Sequence, residues 1–196
     1  MNFSFFALVA RMKNITRWSL MRNTVTENVA EHSHMVAVIA HALAVIRRDI
    51  FGGQADPGAV AAFALFHDAS EIFTGDLPTP IKYLTRELTL SYKNVEALAA
   101  KKLLSSIPAE LRAAYEPLLA GSDCQETRNL TKAADTLSAY MKCLEELKSG
   151  NGEFRLAASQ SLDKLRLLDM PEVDYFIEHF IPAFSLTLDE LDFSVE

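Results

Sequence analysis

An all-α bundle is the fold class this sequence predicts, and three observations predict it. Apolar residues recur every three or four positions along nearly the whole chain, and no segment sustains the period-two alternation of a half-buried strand. The seven glycines and seven prolines stand at joints between the periodic stretches. With 196 residues, 49% of them hydrophobic, the chain is sized for one domain, 1–196, around one core. No internal repeat or low-complexity run interrupts it.

The elements follow in order. Phe3 to Ala10 opens as an amphipathic helix, with Phe5, Val9 and Met12 at helical spacing. Asn28 with Glu31 three residues on forms a capping-box pattern. His32, Val36, Ile39, Leu43 and Ile46 then share one face of a long helix that stops near Phe51-Gly52-Gly53. Asp56-Pro57 pairs an N-cap with proline at the first helical position and opens a helix through Val60, Phe63, Ala64 and His67 to about Ile72. Two prolines and a glycine make Thr74 to Pro80 a loop. Helical patterning resumes from about Glu87 to Leu104, and Pro108 starts a short helix. From Arg128 to Lys148 a stripe of Leu130, Ala133, Leu137, Met141 and Leu144 runs to Ser149-Gly150-Asn151-Gly152. A last helical region spans about Glu153 to Leu168, and the tail packs as a shorter helix between Pro171 and Pro182.

Composition excludes several functions. A net charge of -7 argues against a surface built to neutralise a nucleic-acid polymer or to dock on anionic lipid. The apolar runs are too short to span a membrane, and Phe3 to Ala10 lacks the basic flank and cleavage pattern of a signal peptide. Cys124 and Cys143 form no C-x-x-C pair and are too few for a disulfide framework, which favours a reducing cytoplasm, with Cys143 as a small core residue.

His67-Asp68, set in an apolar run, places two metal-ligand side chains together. Alone the pair says little, because such dipeptides arise often by chance. Its weight comes from His32 and Asp135, which put four candidate ligands on three predicted helices. Two imidazoles with two carboxylates in a helical core suit a divalent transition metal such as Mn, Co, Fe, Ni or Zn. Each residue also has a bland alternative. A lone histidine on an apolar face is more often a satisfied core residue than a ligand, and Asp135 flanks its stripe where an ordinary surface aspartate could sit. Asp68 is harder to dismiss, since a carboxylate on a hydrophobic helix requires a counter-charge. His34, His41 and His179 are assigned no role.

Glu71 follows Asp68 by three residues and His67 by four, which places it on the same predicted helix face as a general acid or base, or else as a helix-end surface residue. Arg17-Trp18 joins a forked donor for phosphate oxygens to the only tryptophan, shaped to press on a sugar or base. A surface arginine beside a core tryptophan is the alternative.

His32, His67-Asp68 and Asp135 together resemble the HD superfamily of metal-dependent phosphohydrolases. The flanking text in Thr26 to Ser33, Phe66 to Glu71, Thr74 to Pro80 and Lys132 to Asp135 resembles the bacterial HD-domain 5'-deoxynucleotidases. Arg17 to Asn23, Tyr140 to Glu146 and the ending around Phe180 to Glu190 extend the likeness over essentially the whole chain. The resemblance implies an HD-type bundle with a metal site between helices, and hydrolysis of deoxyribonucleoside 5'-monophosphates to deoxynucleoside and phosphate. It implies that His32, His67, Asp68 and Asp135 hold the metal, commonly cobalt or manganese, with Zn, Ni, Fe or Cu within the ligand set's range. It further implies that Arg17 orients the phosphate, that Trp18 lines the sugar pocket, and that Asp76, Leu77, Pro78 and Thr79 contact the nucleoside. A homodimer is also implied.

The chemistry suits these residues. Asp68 both ligates the metal and orients water, Arg17 holds the phosphate, and Glu71 takes part in proton transfer; which carboxylate moves the proton stays open at this stage. A rigid indole at Trp18, with the Asp76 loop, leaves no room for a 2'-hydroxyl, which predicts selection against ribonucleotides. Three alternatives remain: an HD hydrolase of a triphosphate, cyclic dinucleotide or alarmone, a non-catalytic nucleotide-binding module with a structural metal, and a helical scaffold with no site, which requires four ligand-type residues to match the family order by accident. The acidic balance favours a monophosphate over the first, and Glu71 with Arg17 speaks against the second.

Overall fold

The structure is a computed structural model describing residues 2–122 and 124–191; Met1, Asp123 and residues 192–196 of the expected 1–196 unit lie outside the described residues. Among the described residues every regular element is helical, and the single β-type pairing is an isolated antiparallel bridge between Thr16 and Asn28. The α-helices are α1 (Phe5–Val9), α2 (Val29–Asp49), α3 (Pro57–Phe66), α4 (Glu71–Thr74), α5 (Thr79–Lys82), α6 (Arg86–Ser105), α7 (Arg112–Leu119), α8 (Gln125–Lys148), α9 (Arg155–Arg166) and α10 (Pro171–His179). Short 3-10 turns extend α1 and precede α7 and α9.

The caps explain the boundaries. The Asn28 side chain accepts from the backbone N–H groups of Ala30 and Glu31, while the Glu31 carboxylate accepts from Asn28 N–H, which closes the expected box at the start of α2. Asp56 accepts from Ala59 N–H at 3.0 Å, with Pro57 in the first turn of α3. Beyond α2 and α8 the chain turns through Gly52 and Gly150, both at positive φ, a region open to glycine because it lacks Cβ.

α2 is the central helix. Val36, Ile39, Ala40, Leu43 and Ala44 pack against Val60 and Ala64 of α3 and against Leu130, Ala133, Ala134 and Leu137 of α8. Each fully buried leucine or isoleucine contributes roughly 1.5–3 kcal/mol. The alanines contribute closeness: with only a methyl at Ala40, Ala64, Ala133 and Ala134, the backbones of α2, α3 and α8 approach near enough for short side chains to meet across them. Phe5, Met12, Val29, Ala69, Leu103 and Ile107 build a second cluster, and Cys143, Phe154 and Ala158 a third. Cys143 is buried as expected and Cys124 is exposed; both are free.

Three expectations require correction. α3 stops at Phe66 rather than Ile72, because the backbone tightens into i to i+3 bonds from Ala69 N–H to Phe66 O and Glu71 N–H to Asp68 O. The His67 side chain contributes to this by taking the Ala64 carbonyl at 2.7 Å. The expected loop 74–80 gives way to α5 at Thr79, since Pro80 stands in the first turn, where a missing N–H is harmless. Finally, α2 is long and apolar enough by length and composition to cross a membrane, which the apolar runs did not suggest. Its composition reflects burial between α3, α8 and α10.

Candidate active site

α2, the turn after α3, and α8 bring His32, His67, Asp68 and Asp135 to one point. The two imidazole rings stand 5.4 Å apart. Asp135 Oδ1 lies 3.1 Å from His32 Nε2, and Asp68 Oδ2 lies 3.1 Å from His67 Nε2 and 3.6 Å from His32 Nε2. Ligand atoms of His32, His67 and Asp135 all fall within 4.8 Å of one another. His32 is 1% exposed, whereas Asp135 leaves 43% of its side chain open, and that opening faces a cavity.

The outer nitrogens define how the rings present themselves. His67 Nδ1 donates to the Ala64 carbonyl at 2.7 Å, which directs the Nε2 lone pair inward, and His32 Nδ1 meets Ser138 Oγ at 3.2 Å. Both Nε2 atoms are buried and have no hydrogen bond of proper geometry, despite the nearby carboxylates. Two orphaned imidazole nitrogens facing two carboxylates form a donor set that fits a divalent ion. The electrostatics agree. Burial disfavours a charged His67 ring, but Asp68 and then Asp135 outweigh it and raise His67 to about 9 in the metal-free chain. Burial opposes the charge on Asp68 and Asp135 too, yet the histidines hold both below the ordinary carboxylate range. A cation in this cluster supplies the positive charge that a proton supplies without it.

Glu71 opens α4, so it does not share a helix with His67 as expected. It nevertheless belongs to the same electrostatic cluster, 8% exposed and with Oε2 buried without a partner. Burial first, then the Asp68 and Asp76 carboxylates, push it up to about 9, with Arg17 pulling the other way. A carboxyl that stays protonated at neutral pH can act as an acid.

Arg17 and Trp18 converge on a residue that sequence reasoning missed. Arg17 Nη1 donates to Glu27 Oε2 at 2.8 Å, and Trp18 Nε1 donates to the same oxygen at 3.0 Å. A glutamate just before a helix cap carries no signal by which sequence could have found it. The Trp18 indole also packs against Phe154, with ring centroids 5.2 Å apart.

A cavity of about 710 Å³ opens beside the cluster, within the range of roughly 300–1,000 Å³ usual for small-molecule sites. Of the expected site residues, Arg17, Trp18, Asp76, Pro78, Thr79 and Asp135 line it; Leu77 does not, and His32, His67, Asp68 and Glu71 lie behind that lining. Burial raises the Asp76 carboxyl and Arg17 lowers it. The far wall, unforeseen, comes from α9 with Leu156, Gln160 and Lys164. His34, His41 and His179 are exposed and apart from the cluster.

This geometry has known counterparts. An HD-domain phosphohydrolase from Listeria innocua superposes with a TM-score of 0.80 at 29% identity, over 92% of this chain and 88% of that one. The cyanophage S-2L HD phosphohydrolase DatZ, bound to dA and one catalytic Zn2+, shares the fold with a TM-score of 0.65 at 24% identity, over 95% of this chain and 100% of that one. The fold is that of an HD-domain phosphohydrolase. Residues 4–184 match the model of the 5'-deoxynucleotidase YfbR-like family. The 5'-deoxynucleotidase YfbR of Shigella boydii is 50% identical over 95% of this chain and 94% of its own length, and that of Photorhabdus temperata 48% identical over 97% and 98%. The chain belongs to the 5'-deoxynucleotidase YfbR-like family and hydrolyses deoxyribonucleoside 5'-monophosphates.

Proposed function

We propose that His32, His67, Asp68 and Asp135 hold one divalent ion, cobalt or manganese foremost, and that the site around it releases the 5'-phosphate of deoxyribonucleotides in preference to ribonucleotides. The observation that carries this reading is the pair of buried Nε2 atoms without hydrogen bonds, facing two carboxylates at the mouth of a nucleotide-sized cavity.

When bound, a divalent ion supplies Lewis acidity that offsets phosphoryl charge and acidifies water. The remaining steps belong to the chain. Glu27 occupies one of the five guanidinium N–H groups of Arg17, leaving donors for the phosphate oxygens. Asp68, held ionised, orients the attacking water. As the water oxygen bonds to phosphorus and the bond from phosphorus to the 5'-oxygen breaks, Glu71, held protonated, gives its proton to that oxygen; one proton of the water stays on the released phosphate and the other returns to the Glu71 carboxylate. The indole of Trp18 and the loop at Asp76, Pro78 and Thr79 bound the sugar and crowd its 2' carbon. The charged lining comprises Arg17 and Lys164 against Asp76, Asp135 and Glu153. An acid-rich wall of this kind favours a monophosphate over a triphosphate, cyclic dinucleotide or alarmone.

Phosphate release from a panel of deoxy and ribo monophosphates, with single divalent metals added back, tests the reading. Orthophosphate from the deoxy series alone is the expected result, and release of pyrophosphate or tripolyphosphate overturns it. In W18A the preference for dAMP over AMP falls; unchanged discrimination removes Trp18 from the account. The two free cysteines suit a cytoplasmic enzyme, and exposed Phe3 and Phe6 with Phe180 suit a homodimer contact, which sedimentation at several concentrations tests.

A further inference from the structure

We infer that Glu27 is a positioning residue for both halves of the substrate, one carboxylate oxygen fixing the arginine set for the phosphate and the tryptophan set for the sugar. The inference rests on the roles given above to Arg17 and Trp18. Glu27 Oε2 accepts from Arg17 Nη1 at 2.8 Å and from Trp18 Nε1 at 3.0 Å, and its side chain is only 15% exposed. An isolated surface ion pair of arginine and glutamate holds little. Here the acceptor is shared, so the guanidinium and the indole cannot move independently.

The backbone gives this clamp its register. Arg17 N–H donates to the Glu27 carbonyl at 3.0 Å, Val29 N–H to the Ile15 carbonyl at 2.9 Å, and Thr16 bridges Asn28. Residues 15–17 are thereby zipped to 27–29, and the chain runs straight on into α2, which carries His32. Glu27 thus sets the distance between the metal cluster and the two groups that grip the nucleotide. Trp18 needs such a hold. Its φ of +59° is a left-handed conformation that a bulky side chain adopts at a cost, and the indole keeps its aim only because Phe154 packs on its face while Glu27 takes its N–H. The carboxylate also offsets part of the Arg17 charge, which matches the site to a single phosphate.

Substitutions at Glu27 separate the two halves. An amide oxygen still accepts from the indole but no longer pairs with a cation, whereas alanine removes both. Trp18 is the only tryptophan in the chain, so intrinsic fluorescence reports the indole without any substrate. In E27A we expect a shifted emission, stronger acrylamide quenching, a KM for dAMP raised about tenfold or more and a dAMP-to-AMP preference reduced about fivefold, with metal content unchanged and kcat within about threefold. E27Q restores the indole signal and the sugar preference but keeps the raised KM, and it is near enough in shape to fold if E27A does not. An E27A or E27Q protein with wild-type fluorescence, KM and preference overturns the inference. So does a uniform fall in kcat on both nucleotides with an unmoved indole, which marks a merely structural residue. Wild-type protein indifferent to the 2'-hydroxyl overturns the selectivity half together with the Trp18 reading, and the fluorescence of E27A distinguishes that failure from failure of the clamp.

Discussion

Burial keeps Glu71 neutral where water would ionise it, and the consequence runs in two directions. Its folded-state pKa, about 9 against an ordinary 4.5, means that between those values the folded chain binds a proton that the unfolded chain does not. Stability of the metal-free protein therefore falls as pH rises from 4.5 toward 9. E71Q cannot ionise. Metal-free E71Q is expected to melt close to wild type at pH 5 and above it at pH 8, by an amount on the order of 1–3 kcal/mol. Equal melting shifts at both pH values refute the buried acid. The same substitution removes the proton donor, so phosphate release falls by about 10²- to 10⁴-fold while metal content holds. The acid itself was a candidate from its spacing to His67 and Asp68, but its protonation was not, because that depends on Asp76 and on burial by distant elements. Glu27 was invisible for a related reason: its partners are ten and nine residues away, in a segment without periodicity.

At the scale of elements, the segment between α1 and α2 is held to the far end of α8. Glu146, buried on α8, accepts from Thr24 N–H and Oγ at 2.9 and 2.7 Å, from Val25 N–H at 3.2 Å, and from Asn151 and Lys142. Lys142 also donates to the Val25 carbonyl. Burial works against the Glu146 charge, but Lys142, Asn151 and Thr24 outweigh it and hold its pKa far below the ordinary range. That stability is present above pH 4.5 and is lost as pH falls below it. In E146Q the cationic Lys142 loses its counter-charge. Cost is expected at about 2–4 kcal/mol, with the acid side of the pH-stability curve flattened and the dAMP-to-AMP preference reduced because Trp18 loosens. Calorimetry across pH 3–7 checks this, and a wild-type curve in E146Q refutes it. Lys142 and Glu146, spaced i and i+4, carry no sequence signal of burial, and only the return of Thr24 and Val25 from over a hundred residues away makes them a buried anchor. The capping box at Asn28 and the proline start at Pro57 were legible because each is written within four residues. The break of α3 at His67 was not, because a side chain took a backbone acceptor inside an unbroken apolar run.

The whole molecule places the proposed ligands on α2, on α8 and on the turn that leaves α3, the three helices of its main core. α2, α3 and α8 were legible as helices from their stripes, and their convergence was expected only through the ligand set; the close packing at Ala40, Ala64, Ala133 and Ala134 and the second cluster around Phe5 and Leu103 were not foreseen, since nothing local in one helix names the other as partner. An ion held by His32, His67, Asp68 and Asp135 ties positions 32 and 135 together, far apart in sequence, and the unfolded chain offers only the adjacent His67-Asp68 pair in their place. Binding to the folded state therefore stabilises it by mass action, about 2.7 kcal/mol when free metal stands a hundredfold above Kd. For a chain of this length that raises Tm by roughly 5–10 °C. A chelator should reverse the shift, and one equivalent of cobalt or manganese should restore it. D135N removes one charged ligand from a partly open side chain, so the fold survives without metal while the response to added ion shrinks. A wild-type Tm indifferent to chelation would show that the two orphaned imidazoles hold no ion. A D135N protein with the full metal response would confine the ion to α2 and the turn after α3, leaving α8 as a wall of the site rather than part of its grip.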